Sequence, residues 1–552
     1  MRQTNKIRKG IAWLLCTVLV LGILPMLPQM SMQISAAENA ASVFVDGVEL
    51  HAGGKKYFKN GDTADSGATG TDEDHSAYYD TAGELWLNNL EAHTIKANGN
   101  LTIYVCNNQE TNTNIVTATQ NETAIEVTGY LTIQYGGYGE TGSLTVESDG
   151  KEAIQAGSGM TVSDGVEVKV RAKSGATAIS SGGVLKIDGI RTKLEAASDG
   201  STGKGIFAQQ SIYVKNSAVL TAFGGAAAYE SPSGIDKSGY GYEDYNVFTG
   251  DAAPGTQAAK DTALDGYKYI RIEPTGVANV KTLTELQAAA QNQYISLINV
   301  MNDITITDTV YVRRAVTIQS PDVSNVSKLI RGKSHTDVIL DFDGANGHKS
   351  DVVTLKNIIV DGNKDGNTQT ASPALKSKSI LVDLESGTVI ENNHAKEGAA
   401  IYVNHYSTVT MKEGSEIRNN LSESDGTVYV IGNGGYFEMA GGTISGNTVA
   451  GNGGGIYEFG GGSARMTGGT ISGNTAKGNG GGVYNVERLY GGTITGNSTS
   501  GNGGGVFVPV SGACLLNSDI NISGNYKDGI WSTTEQRYTT GTANNLYLSD
   551  FG

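Results

Sequence analysis

The sequence has few of the residues that cross-link a chain or interrupt a β-strand. It contains three cysteines and eight prolines among 552 residues. Two of the cysteines, Cys106 and Cys514, follow the first 37 residues and lie in different halves of the chain, so disulfide bonds are not what holds the fold together. Because proline is excluded from the interior of β-sheets, its scarcity leaves long stretches open to strand pairing.

Long hydrophobic runs are also missing, with one exception at the amino terminus. The run Ile11 to Leu27 follows four basic residues and is closed by prolines, and the small residues up to Ala37 suit a signal peptidase. A membrane anchor is the alternative, but this run is at the lower limit of a bilayer span. The sequence predicts a signal peptide over residues 1–37, a secreted or cell-surface location, and no membrane span in the mature chain.

Positive charge is scarce in the rest of the chain. Beyond residue 37 there are 36 Lys and Arg against 56 Asp and Glu, a net charge of −20. Such a chain repels the phosphate backbone, so nucleic acid is not expected as a partner. With 17% charged and 38% hydrophobic residues it is nevertheless too apolar to be disordered.

Glycine is abundant, and much of it belongs to an internal repeat. The phrase Gly-Gly-Thr-Ile-Ser-Gly-Asn ends at Asn447 and again at Asn474, and near copies precede and follow. The aligned asparagines are spaced by 27, 27, 27, 23 and 28 residues: Asn393, Asn420, Asn447, Asn474, Asn497 and Asn525. An isoleucine precedes each of them by three residues: Ile390, Ile417, Ile444, Ile471, Ile494 and Ile522. Asn363 is a weaker candidate for an earlier member of the asparagine series.

A second phrase alternates with the first and completes the repeat. Gly-Asn-Gly-Gly-Gly-Ile-Tyr at Gly451 to Tyr457 returns at Gly478 to Tyr484, and a third short apolar segment follows each copy. Glycine at this density would break helical repeats, whereas stacked β-coils share backbone hydrogen bonds and one core. The prediction is an all-β fold, a right-handed parallel β-helix, with the asparagines stacked at one corner and the isoleucines stacked inside.

These paired phrases, over about residues 387–531, resemble the repeats of polymorphic outer-membrane proteins. Ile or Val replaces the family's phenylalanine, and its membrane barrel does not follow. The resemblance implies an adhesin-like, pectate-lyase-like β-helix.

The amino-terminal half repeats more loosely. Segments such as Leu101–Ile103, Leu131–Ile133 and Leu185–Ile187 recur every 25 to 30 residues, and this half resembles the β-helical carbohydrate-binding-type modules of secreted bacterial proteins. A short amphipathic helix is predicted within Thr282 to Gln291, capping a second solenoid. Two β-helical domains are therefore expected, over residues 38–275 and 276–552, and the second stops inside a strand phrase.

An enzyme with the same fold is the alternative to this adhesive interpretation. Polysaccharide lyases and glycoside hydrolases need acidic residues close together. The irregular coils over 335–385 contain the best candidates: Asp341, Asp343, Asp361, Asp365, Asp383 and Glu385. No acid recurs at one coil position, so the sequence favours a protein that is not an enzyme and has no catalytic residues; a polysaccharide lyase or glycoside hydrolase is the alternative.

No metal site and no cofactor are expected. Asp361 to Gly366 matches the start of a calcium loop, but Ser372 stands where the bidentate Glu is needed. His394 and His405 lack cysteine or paired carboxylates at metal-ligand spacing.

An aromatic series supplies the candidate binding residues: Tyr402, Tyr429, Tyr457, Tyr484, Phe507 and Trp531. Strand alternation puts each ring opposite its aliphatic neighbour, so the rings form either an outward stripe or a stacked core. The outward arrangement is favoured, since Val403, Val430 and Val508 extend the aliphatic side. The predicted function is a non-catalytic, secreted or cell-surface adhesin-like protein that binds a polysaccharide, or a glycan or protein on a cell surface.

Overall fold

The structure is a computed structural model. It describes residues 39–40, 42–51, 56–62, 75–106, 114–119, 121–136, 142–241, 243–344, 350–367, 369–432, 434–510, 512–529, 531–532, 537–538 and 540–549. The predicted signal peptide lies outside these residues. The described residues are all-β, with about 2% helix, and form a parallel β-solenoid of about 15 turns, which confirms the predicted fold class. Within the described residues, no helix is long and apolar enough to cross a membrane.

Two sheets belong to the amino-terminal half alone. Sheet A consists of Ser42–Val45, Val48–His51, Ile95–Ala97, Ile125–Val127, Ile154–Ala156, Ile179–Ser181, Lys204–Ala208 and Ala227–Glu230. Sheet B consists of Lys56–Phe58, Ala77–Tyr79, Glu84–Asn88, Leu101–Cys106, Tyr130–Tyr135, Gly159–Ser163, Leu185–Asp188, Ile212–Lys215 and Ile235–Asp236. Antiparallel strands occur at the start of both sheets, and the later strands pair in parallel from coil to coil.

A third sheet, here the long sheet, runs through both halves. Its strands are Glu91–Ala92, Asn114–Thr117, Gly142–Asp149, Val166–Lys173, Lys193–Ser198, Val219–Gly224, Glu243–Gly250, Thr256–Ala258, Tyr269–Val280, Leu297–Val300, Val316–Gln319, Val352–Lys356, Leu381–Leu384, Thr408–Met411, Tyr436–Met439, Ser463–Met466, Arg488–Leu489 and Leu515–Leu516.

Three further sheets belong to the carboxyl-terminal half. Sheet C consists of Ile304–Ile306, Lys328–Arg331, Ile359–Asp361, Val389–Glu391, Glu416–Arg418, Thr443–Ser445, Thr470–Ser472, Gly492–Thr495 and Ile520–Ser523. Sheet D consists of Val310–Val312, Leu340–Asp343, Leu375–Lys378, Ile401–Asn404, Val428–Ile431, Ile456–Phe459, Val483–Tyr484, Val506–Val508 and Leu546–Leu548. The short sheet E consists of His394–Ala395, Leu421–Ser422, Thr448–Val449, Thr475–Ala476, Ser498–Thr499, Tyr526–Lys527 and Thr542–Ala543.

The strand Tyr269–Val280 joins the two halves. Its first residues pair antiparallel with Val219–Gly224 and Glu243–Gly250, and its last four pair in parallel with Leu297–Val300. The predicted boundary at residues 275 and 276 falls inside this strand. The buried hydrophobic residues nevertheless form two clusters, one ending at Ile272 and one beginning at Ala278. The division into two domains stays a prediction.

The predicted helix is present as α1, Leu283–Gln291. Thr282 caps it, because its side chain accepts a hydrogen bond from the Glu285 backbone N–H while the Glu285 side chain accepts one from the Thr282 backbone N–H. At the other end the Arg314 guanidinium donates to the carbonyls of Ala289 and Ala290, where a cation complements the helix dipole. One further helical turn, a 3₁₀ helix, covers Ser238–Tyr240.

The predicted asparagine ladder is confirmed and is longer than expected. All six asparagines are buried, and the side-chain oxygen of each later member accepts from the backbone N–H and the side-chain amide of the member before it, at 2.8–3.1 Å. Asn545 continues the ladder as a seventh member, since its Oδ1 accepts from the Asn525 backbone N–H at 2.9 Å. Asn363 does not belong to the ladder, because its amide donates instead to the Arg331 carbonyl.

The isoleucine series stacks beside this ladder as predicted. Consecutive members are direct register partners in sheet C from Ile390 to Ile522. The first five are fully buried, and Ile522 is half-buried. Because the isoleucines stack from coil to coil, the core of this half is continuous along its axis. Burial of each fully buried isoleucine contributes about 1.5–3 kcal/mol to stability.

Candidate functional site

The outer face of sheet D carries the aromatic series. Tyr402, Tyr429, Tyr457, Tyr484 and Phe507 are successive register partners. Their ring centroids are 4.9–5.3 Å apart, which is a stacking distance. The aliphatic neighbours, such as Ile401 and Val403, are fully buried on the inner side. The rings therefore lie on the outer side of the strands, as expected.

The expectation that these rings form an open contact surface is wrong for three of them. Tyr429, Tyr457 and Phe507 are each only 7% exposed, and Tyr402 and Tyr484 are half-buried. Each inner ring has another ring on both of its faces, and the preceding turn covers its base. Gly453, with φ +69°, lies so close that a Cβ atom there would be 2.8 Å from the Tyr457 Cβ. Sugar stacking on an inner ring is therefore blocked.

The strand that contains the sixth predicted member, Trp531, does not belong to sheet D. The strand Trp531–Ser532 pairs antiparallel with Arg537–Tyr538 in a separate two-stranded sheet. Tyr547 takes the next position on sheet D and stacks on Phe507 at 5.6 Å. The spacing was misleading because this hairpin is inserted between two strands of one coil. The alternation Leu546-Tyr547-Leu548 is the signal that identifies the true member.

The stack ends at Tyr402, and a hollow opens there. Tyr402 has one ring neighbour among the described residues, Tyr429, and its register partner on the other side is Lys376. The hollow has a volume of about 320 Å³, and its polar lining includes Lys376, Lys396, Glu397 and Asn404. Burial and the nearby Glu397 carboxylate raise the pKa of the Tyr402 phenol, so Tyr402 is neutral and can donate or accept a hydrogen bond. These polar groups come from two strands and a turn, so no single sequence motif identifies them.

The strands before Tyr402 place charged side chains on the same face. Asp341 is the register partner of Lys376, and the neighbouring Lys378 lies 3.4 Å from Asp343. Burial raises the pKa of Asp341, while the Lys376 ammonium opposes that shift. Acids and lysines thus alternate here, and the centre of the face carries charges of both signs.

The acids proposed for an enzyme do not come together. Asp341 and Asp343 lie on sheet D, Asp361 on sheet C and Asp383 on the long sheet. Lys412 joins Asp383 and Glu385 at 2.8 and 2.7 Å. Asp365 lies in an exposed turn. The three pairs therefore lie on three different sheets and do not meet in one groove.

The possible metal ligands Asp361 and His394 have protein partners. Among the described residues, no group of three or more His, Cys, Asp or Glu side chains is placed to hold a metal ion. Asp361 accepts from the Asn363 backbone N–H and contacts Lys328, so it acts as a turn residue and an ion-pair partner. His394 contacts Glu423 at 2.9 Å, and His405 occupies a left-handed turn at φ +41°.

Part of the chain is similar to one known family. Residues 277–380 match the model of a family described as a putative pectate lyase-like adhesive domain. The match begins within the strand Tyr269–Val280, includes α1, and ends just after Lys376 and Lys378. No curated protein and no solved structure matches the chain. The resemblances of residues 387–531 and of the amino-terminal half to other families stay interpretations of the sequence.

Proposed function

We propose that this chain is an exported, non-catalytic adhesin-like protein that binds glycans or cell surfaces through the outer face of sheet D around Tyr402. The observation that carries the proposal is the match of residues 277–380 to an adhesive family. That segment supplies Lys376 and much of the face beside Tyr402. The signal peptide predicted over residues 1–37 supports export to the cell surface or the medium.

The chemistry of the Tyr402 hollow suits a sugar. An aromatic ring with one face not covered by another ring can stack on the apolar face of a pyranose. Lys376, Lys396, Glu397 and Asn404 supply donors and acceptors around that ring. A concave site with one aromatic ring and a few converging polar groups is a common form of small-ligand site. Neither a cofactor nor a metal ion is required for binding of this kind.

The enzyme alternative is not favoured by any arrangement of the described acids. Asp383 and Glu385 share one lysine, and Asp341 and Asp343 stand opposite lysines. We expect no release of reducing or unsaturated ends from pectin, xylan or host glycans by the mature chain, with or without calcium. Steady turnover that disappears in Asp341→Asn or Asp383→Asn would contradict this.

Binding is tested with the mature chain, residues 38–552, on a glycan array and on intact bacterial and host cells. Tyr402→Ala removes the ring at the hollow and should reduce binding about tenfold. Tyr436→Ala is the matched control, because Tyr436 is a half-buried, outward tyrosine of the neighbouring coil on the long sheet. Equal binding by the two variants, or no binding by the wild-type chain to any glycan or cell, would refute the proposal.

A further inference from the structure

A second aromatic ring lies on the same face, three strands before Tyr402. Tyr311 is the register partner of Asp341, Asp341 of Lys376, and Lys376 of Tyr402. The four side chains therefore form one outward column along the solenoid. Three strand spacings of about 4.8 Å separate the two rings by about 14 Å.

Tyr311 is open to solvent and has its own hollow. Its side chain is 41% exposed, and the Arg313 guanidinium lies 5.6 Å from the ring centroid. The hollow has a volume of about 390 Å³ and is lined by Ala290, Gln291, Gln293, Tyr311, Arg313 and Arg314. The hydrogen bonds from Arg314 to the end of α1 hold this wall in place. Each end of the column thus combines one aromatic ring with amide or cationic donors.

The interval between the rings is polar and carries charges of both signs. Asp341 and Lys376 occupy the column itself, and Asp343 and Lys378 are paired beside it. A polyanion would meet the two aspartates as well as the lysines, and it would also be repelled by the net charge of the chain. Hydroxyl groups can instead donate to the carboxylates and accept from the ammonium groups.

We infer that the face from Tyr311 to Tyr402 binds a neutral, linear polysaccharide that runs along the solenoid axis and contacts both rings. One hexose unit of an extended chain is about as long as one strand spacing of about 4.8 Å, so the interval of about 14 Å corresponds to about three units. A ligand of about four units is therefore needed to reach both rings. This inference rests on the proposed function, since it names the class of glycan that the Tyr402 site would hold.

The test measures the dependence of affinity on ligand length. The mature chain is titrated with cello-, xylo- and manno-oligosaccharides of two, four and six units, and with galacturonate oligomers as the anionic arm. For at least one neutral series the affinity should rise about tenfold from two units to four, equal to about 1.4 kcal/mol, and then change little. Tyr311→Ala should abolish this rise and leave the affinity for two units unchanged. Tyr294→Ala is the matched control, because Tyr294 is 39% exposed, follows the same helix and is not part of the hollow's lining.

Three results would overturn the inference: affinity that does not depend on length, equal losses in the Tyr311 and Tyr294 variants, or binding of galacturonate with no neutral series. If the chain adheres to cells but fails these tests, the proposed function stands and the inference about a neutral polysaccharide is wrong. If the chain binds no glycan and no cell, both the proposed function and the inference are wrong.

Discussion

The asparagine ladder offers a sharp test of what holds the regular coils together. Asn447 lies in the middle of the ladder and is fully buried. Its Oδ1 accepts from the backbone N–H and the side-chain amide of Asn420, at 2.9 and 3.0 Å. Its own amide donates to the Ile417 carbonyl at 3.1 Å and to Asn474 at 2.8 Å. Asn447→Ala thus leaves two buried donors of Asn420 without an acceptor.

The expected cost follows from these two donors. A buried polar group without a partner costs about 1–3 kcal/mol, so the substitution should lower the free energy of unfolding by about 2–6 kcal/mol. Because each coil contacts only its neighbours, the loss should be concentrated near the site. Urea unfolding measures the total, and hydrogen exchange at the Asn420 amide should accelerate by about 10³-fold if the local loss is about 4 kcal/mol.

The control lies in a second, more exposed ladder that the structure shows at the glycine-rich turn. There the Oδ1 of Asn452 accepts from the Asn479 backbone N–H at 2.7 Å, and the Asn452 amide donates to Asp425 at 3.0 Å. Asn452 is half-buried, so water can replace its hydrogen bonds, and Asn452→Ala should cost less than about 1 kcal/mol. The reasoning is refuted if both variants lose the same stability or if Asn420 exchange is unchanged in Asn447→Ala.

Three other substitutions test the packing of this half. Tyr457→Ala removes a ring held between Tyr429 and Tyr484 and should lower the free energy of unfolding by about 3–5 kcal/mol, measured by thermal unfolding. Tyr406→Ala, at a 65% exposed site, is the control and should lower it by almost nothing. Similar losses in the two variants would contradict the stacked arrangement. Burial raises the pKa of Glu458 from 4.5 to about 7. The stability that its protonated form contributes is therefore complete below pH 4.5, and about 3 kcal/mol of it is lost as the pH rises to about 7. Glu458→Gln should remove this dependence of stability on pH, and an unchanged pH profile of unfolding would show that Glu458 is not its source. Gly362→Ala would place a Cβ atom in steric conflict with Asn393, the first asparagine of the ladder. The substitution should lower the free energy of unfolding by at least about 2 kcal/mol, measured by urea unfolding. An unchanged stability would contradict this close packing.

The regular coils could be predicted because one physical requirement repeats in them. Asn447 and Ile444 recur at fixed spacing, since the corner needs a buried amide and the core needs an aliphatic side chain in every coil. Thr282 and Glu285 likewise identify the start of α1, because a capping box depends on residues three positions apart. Such local requirements can be read from one chain.

The site could be predicted only in part, because it depends on contacts between distant segments. Alternation placed Tyr402 on the outer side of its strand, but it could not show that neighbouring rings and turn glycines cover Tyr457. Spacing alone chose Trp531 over Tyr547, since an inserted hairpin cannot be recognised by counting residues. Tyr311 was missed although Val310-Tyr311-Val312 has the same alternation as Ile401-Tyr402-Val403, because the distance from Tyr311 to Tyr402 does not fit the repeat.

The direction of the ladder hydrogen bonds has a mechanical consequence. Strands run across the solenoid axis, whereas the bonds from Asn420 to Asn447 and from Asn447 to Asn474 run along it. Tension that peels the chain from one end would break one coil at a time, because each coil is bonded only to its neighbours. A coil of 27 residues would then release about 90 Å of extended chain. Under load this half would lengthen in steps and dissipate work at every coil while the coils behind the break remained folded.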